Sequence, residues 1–238
     1  MYSFRNDPDA DGVGIAFFDA VSPNGERMDL SVGGAEDWRG ADWALVEQAI
    51  DVPVLTARQV HGDQVLILDQ TADAREVAAR AADGLLTTSR GLGLAVRAAD
   101  CLPVLFADVS AEVVAAAHAG RVGLAAGVLL ATVSRMRAAG ATRIGAWIGP
   151  HVCARCYEVP AYLRADYCVD LPAAFASTSW GTPSLDLGAA AADQLRAAGC
   201  EVTRVDPCTV ETPTLHSYRR DGAAAGRQAG VVWLPRSL

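Results

Sequence analysis

Apolar positions in this chain fall into short runs broken by turn residues, with few long amphipathic stretches. Residues 54–57, 65–68, 92–97, 104–107, 113–117, 144–148, 202–205 and 231–234 read as strands. Residues 35–50 read as an early amphipathic helix, and the Ala-rich stretches 78–82 and 189–192 suit helices. The second of these belongs to a helix over 187–198, with Gly199 just past its end as a cap. Gly120-Arg-Val-Gly123 opens a further helical run to about residue 139. This mix of about eight or more strands and roughly three or four helices predicts a layered mixed α/β fold of the α+β class. No repeat or linker clearly divides the chain, and its 238 residues would fit one domain or two small ones.

Composition narrows the chemistry. The formal net charge of −8 argues against nucleic acid or an anionic membrane as the main partner. All 20 Lys+Arg residues are Arg. A lysine Schiff base and a Walker-type phosphate lysine are therefore excluded, and an anion must be met by Arg or by backbone amides. The start, Met-Tyr-Ser-Phe, does not read as a signal peptide, and no apolar run is long enough to span a membrane. A cytoplasmic protein is expected, with its six Cys as thiols.

Three residues at the ends of predicted strands carry the chemistry. They are His61 in Gln59-Val-His-Gly62, Cys101 in Ala99-Asp-Cys-Leu-Pro103 and His118 in Ala117-His-Ala-Gly120. Two imidazoles and a thiolate suit zinc, and three protein ligands leave a position open, as a catalytic site requires. The same Cys101 and His118 could instead form a nucleophile–base pair, and each could also be a packed residue with no chemistry. Asp100 beside Cys101 is placed to orient a ligand. Asp83 and Asp100 are the carboxylates to test for proton transfer, although Asp83-Gly84 is also a turn dipeptide.

Gly120, Arg121 and Gly123 form a glycine turn at a helix start, which suits an anion such as phosphate. Arg219, in Ser217-Tyr-Arg-Arg-Asp-Gly222, is a second candidate anion clamp. Cys153-Ala-Arg-Cys156 is a C-x-x-C that can be a redox pair or half of a zinc site. The Glu that a nucleobase deaminase pairs with its Pro-Cys-x-x-Cys is missing. Cys153 and Cys156 are therefore read as dispensable loop thiols, and Cys168, Cys200 and Cys208 as structural.

The order Q-V-H-G, A-D-G-L-L-T, A-D-C-L-P-V, H-A-G-x-x-G-L-A-x-G, I-G-P…C-Y-E-V, L-D-L and S-Y-R-R-D-G…G-R-Q-A resembles one family from roughly Val32 onward. That family is called multicopper polyphenol oxidase or laccase-domain protein, peptidoglycan-editing factor, and purine nucleoside phosphorylase. The resemblance implies a single domain over residues 1–238 with α/β/β/α layers, and a zinc, with copper as the alternative metal, held by His61, Cys101 and His118. It implies phosphorolysis of adenosine, inosine and methylthioadenosine, and deamination of adenosine, by a monomer or homodimer. The alternatives are a cysteine hydrolase using Cys101 and His118, as in toxin-type deamidases of this fold, acting on peptidoglycan precursors, and a copper polyphenol oxidase. Four His are too few for a multicopper cluster. The chain departs from the family where H-A-G-W-R-G becomes H-A-G-R-V-G, putting Arg121 and Val122 in place of Trp and Arg. It departs again at Leu215-His216 before S-Y-R-R, where the family has an aromatic.

Overall fold

The computed structural model describes residues 1–8, 12–33, 38–205 and 207–236. Its first elements are β1 (Tyr2–Asn6), β2 (Gly14–Phe18), α1 (Asp42–Ile50), β3 (Val54–Leu55), β4 (Val65–Leu68), α2 (Ala74–Ala79) and β5 (Gly84–Thr87). Next come β6 (Leu92–Ala98), β7 (Leu102–Asp108), β8 (Val113–Ala119), α3 (Arg121–Ala126), α4 (Val128–Ala138) and β9 (Gly145–Ile148). The remainder supplies α5 (Ala161–Asp170), β10 (Phe175–Ser177), β11 (Pro183–Leu185), α6 (Leu187–Ala197), β12 (Glu201–Arg204), α7 (Tyr218–Asp221) and β13 (Gln228–Leu234).

Two mixed sheets form the centre. One has five strands in the order β1-β2-β13-β6-β3, and the other six in the order β12-β9-β7-β8-β5-β4. Side chains alternate across a strand, so each sheet feeds two cores. In β8, Val114 and Ala116 face the other sheet, whereas Val113, Ala115 and Ala117 lie under the helices with Val133, Met136 and Leu195. In β13, Val232 and Leu234 face the sheet–sheet core, whereas Val231 and Trp233 pack with Trp43, Val46 and Ile50 of α1. The layers are therefore helix, sheet, sheet, helix, and the mixed α/β expectation holds.

Some elements differ from the sequence reading for identifiable reasons. Residues 35–37 of the expected first helix lie outside the described residues, and α1 itself starts at Asp42. The run from 120 to 139 is two helices. Gly127 between them has φ +92, a left-handed conformation open to glycine, and it ends α3 and starts α4. The Ala-rich stretch at 78–82 lies mostly past a helix that begins earlier. Asp73 caps that helix by accepting from Arg75 and Glu76 N–H, and the chain leaves it after Ala79. No helix among the described residues is long and apolar enough to cross a membrane.

Candidate active site

His61 lies on the connection from β3 to β4, and Cys101 on the connection from β6 to β7. Both connections carry the chain from the five-stranded sheet to the six-stranded one. His118 lies in β8, two residues beyond Ala116, on the same sheet-facing side. There the gap between the sheets opens, so an imidazole stands where the strand's next apolar side chain would be.

The three side chains converge. Their ligand atoms lie within 4.8 Å of one another. His61 Nε2 is 3.8 Å from Cys101 Sγ, and the two imidazole rings meet edge-on with centroids 4.8 Å apart. Zinc–sulfur and zinc–nitrogen bonds at the tetrahedral angle would separate such donors by about 3.6 Å. The residues therefore fit a metal with little movement. Gly120 is required by this convergence, because a Cβ there would sit 2.7 Å from His61 Cδ2 and 2.9 Å from Cys101 Sγ.

Asp83 organises the cluster. Its buried carboxylate accepts from the backbone N–H of Val60 at 3.0 Å, His61 at 3.0 Å and Gly62 at 2.8 Å. It also bonds His118 Nδ1 at 2.8 Å, which leaves Nε2 of that ring for a metal. Burial pushes the Asp83 pKa up, but the bonds from His118, Gly62 and Val60 outweigh it and hold the group below its ordinary value. The three amide bonds also hold His61 in a left-handed conformation, φ +60, that a non-glycine residue adopts at a cost of about 1–3 kcal/mol.

Burial lowers the His118 pKa despite its bond to Asp83, so the ring is neutral at neutral pH. Burial, reinforced by the Asp100 charge, pushes the Cys101 thiol up to about 12. A metal binding here must displace that proton. Metal uptake should release about one proton from Cys101 above neutral pH, and apparent affinity should rise about one log unit per pH unit. Calorimetry in buffers of different ionisation enthalpy checks this, and uptake without proton release would remove Cys101 from the ligand set.

The cluster opens into a cavity of about 860 Å³, within the range of roughly 300–1,000 Å³ usual for small-molecule sites. Arg58, Arg97, Arg219 and Arg227 line it, with Tyr157 and Tyr218. Burial and the charge of Arg227 pull the Arg97 pKa down to about 10. Arg97 donates to the Ala57 carbonyl at 2.9 Å, while its buried Nε has no protein partner. The Gln59 side chain pairs with both backbone groups of Arg97, at 2.7 and 2.9 Å, and so ties the His61 connection to the end of β6. Arg219 stacks on Tyr157 with its guanidinium 4.8 Å from the ring centre.

The other candidates from sequence are placed differently. Asp100, at φ +96, accepts from Thr209 Oγ1, Ser217 Oγ and Arg219 N–H at 2.6–2.7 Å. Its side chain thus holds the 209–219 wall, and the ligand contact expected of Asp100 is made by Asp83. Arg121 does not line the cavity; its carbonyl accepts from the Tyr167 hydroxyl at 3.0 Å. Gly123 packs on the His61 connection, where its Cβ would meet Gly62 O at 3.2 Å. Sequence reasoning missed Arg97 and Arg227. The available signals were a charge ending the apolar run of β6 and the Arg of G-R-Q-A.

Residues 28–235 match the family model described as multi-copper polyphenol oxidoreductase laccase. The chain is 48% identical over 184 residues to purine nucleoside phosphorylase ORF3 of Streptomyces griseus, covering 76% of this chain and 74% of that protein. It is also 48% identical over 184 residues to purine nucleoside phosphorylase SCO2081 of Streptomyces coelicolor, covering 76% and 75%. The crystal structure of Neisseria meningitidis protein NMB0706 superposes with a TM-score of 0.76 at 30% identity, over 98% of both chains. With nearly its whole length matched in sequence pattern and in fold, the chain belongs to the laccase-type polyphenol oxidoreductase family that includes these purine nucleoside phosphorylases.

Proposed function

We propose that this protein is a zinc-dependent purine nucleoside phosphorylase acting on adenosine, inosine and methylthioadenosine, with a slower adenosine deaminase activity. The observation that carries the reading is a three-ligand cluster opening into a cavity lined by four arginines. The names of the relatives supply the substrate class. The donor set of one thiol and two imidazoles favours zinc, held by His61, Cys101 and His118. When bound, zinc would supply Lewis acidity at an open coordination position.

The remaining work falls to the chain. Arg97 and Arg227 face one space and raise the local positive potential, so phosphate is drawn there. The unpartnered Nε of Arg97 gains a hydrogen bond when an anion arrives. Arg219, stacked on Tyr157, closes the opposite wall and can hold the nucleoside against the aromatic face. Phosphorolysis then requires a phosphate oxygen to attack ribose C1′ while the base leaves with a proton from solvent or a nearby acid. Deamination requires water to add at purine C6 and ammonia to leave.

The cysteine-hydrolase alternative needs a thiol with a depressed pKa. Cys101 is pushed the other way, and the imidazole within hydrogen-bond reach of its sulfur is His61, at 3.8 Å, in place of the expected His118. Chromatographic product analysis with each nucleoside, with and without phosphate, tests the proposal. Phosphate-dependent release of adenine from adenosine is expected, and ammonia without phosphate. Arg219→Ala should raise the KM for nucleoside or phosphate by about tenfold, the loss of one ~1.4 kcal/mol contact. No base release and no deamination by zinc-loaded protein would refute the reading.

A further inference from the structure

We propose that Cys153, Cys156 and Cys208 form a second metal site, a structural zinc centre with Glu211 as fourth donor. The four ligand atoms lie within 4.8 Å of one another, as those of the first cluster do. Cys208 had no metal-like neighbour in sequence; the fold supplies two, from a segment more than fifty residues away. Cys153 and Cys156 carry the C-x-x-C spacing that wraps one ion from a single turn. That turn is formed: Cys156 N–H and Tyr157 N–H both donate to the Cys153 carbonyl at 3.0 Å.

One of the sulfurs already accepts an amide hydrogen bond of the kind that supports a thiolate. Cys153 N–H donates to Cys208 Sγ at 3.4 Å. Such amide bonds favour the charged form of sulfur. Arg155 also pairs with Glu211 Oε2 at 2.8 Å, which offsets negative charge at the rim and leaves the carboxylate a second oxygen. Cys156 and Cys208 are buried with Val152, and Val210 and Tyr157 pack against them. Four protein donors, two of them buried sulfurs and one an exposed carboxylate, fill a tetrahedral set, unlike the open three-ligand cluster. On binding, each thiol passes its proton to solvent and the ion takes its place, with no redox change.

The location gives the ion a purpose. The backbones of segments 151–156 and 208–211 meet at the β-bridge of His151 with Cys208, where Thr209 N–H donates to the His151 carbonyl at 3.1 Å. Thr209 holds Asp100, and Tyr157 carries Arg219. An ion clamping the two segments fixes one wall of the large cavity without touching its contents. The assignment does not depend on the reaction proposed above.

Cobalt(II) titration of reduced, metal-free Cys101→Ala protein tests the assignment, because the first cluster is then disabled. One equivalent should bind, with thiolate-to-cobalt charge-transfer absorption and tetrahedral ligand-field bands. Adding Cys153→Ser should cut the charge-transfer intensity by about a third or abolish binding, as three thiolates fall to two. Adding Glu211→Gln should keep the absorption and weaken binding at least about tenfold. Should the Cys153→Ser chain fail to fold, alkylation of the parent Cys101→Ala protein gives the same answer. Zinc should protect Cys153 while half-buried Cys168 reacts as before, and chelation should end the protection. Folded, reduced protein without thiolate-to-cobalt absorption, or with Cys153 alkylation indifferent to zinc, would overturn the site. So would a mass two hydrogens lower that maps to a disulfide among the three cysteines.

Discussion

A His118→Ala enzyme should lose adenosine phosphorolysis by about three orders of magnitude in kcat/KM, and lose metal at the first cluster. The ring supplies one of three converging donors, and among the described residues no further donor joins that group. The Lewis-acid contribution lost with the metal is several kcal/mol, and ~1.4 kcal/mol is already tenfold in rate. Stability should suffer much less. Asp83 loses one of four partners, and the three backbone N–H bonds remain, so the cost is about 1–3 kcal/mol. Steady-state kinetics, metal analysis and a thermal melt on the same preparation separate the two effects. Folded His118→Ala protein within tenfold of wild-type turnover would sink the metal mechanism.

Asp83→Asn should weaken metal binding at the first cluster by about 10–100-fold, although Asp83 touches no ion itself. The carboxylate accepts four hydrogen bonds with two oxygens. An asparagine has one acceptor oxygen, and its amide group must face two of those donors, because each carboxylate oxygen serves two. The His61 turn then relaxes from its left-handed conformation, and His118 loses the partner that fixes its tautomer. Asp100→Asn is the control. Asparagine tolerates the positive φ at that position, and its side chain addresses Thr209 and Ser217. Chelator competition should show affinity nearly unchanged in Asp100→Asn and markedly lowered in Asp83→Asn. Equal affinities in the two variants would mean that the His61 turn holds its shape without the carboxylate.

These outcomes bear on how much of the site could be read before folding. His61, Cys101 and His118 were legible because each is a polar ligand at the end of an apolar run, where strands stop and sites are built. The division of labour between Asp83 and Asp100 was not. Asp100 adjoins Cys101 in sequence, yet its carboxylate turns away to the 209–219 wall, while Asp83 reaches His118 across paired strands β5 and β8. Arg121 followed the same logic: adjacency to His118 suggested an anion site, but a helix start rotates successive side chains by about 100°, and this one lies off the cavity lining.

By itself the sequence determined the local matters. It set eight strands of the two sheets through short apolar runs, and a net charge and lysine-free composition that leave anion binding to arginine, whereas β1, β2, β5 and the helix break at Gly127 were not read from it. Only the tertiary structure decided which distant groups meet. It placed Arg97 and Arg227 over one cavity, gave Asp83 to His118, and brought Cys208 and Glu211 to Cys153 and Cys156. The physical reason is that periodicity and turn chemistry act over a few residues. The register between two sheets is instead set by the packing of whole faces, and that register places the ends of chain connections side by side.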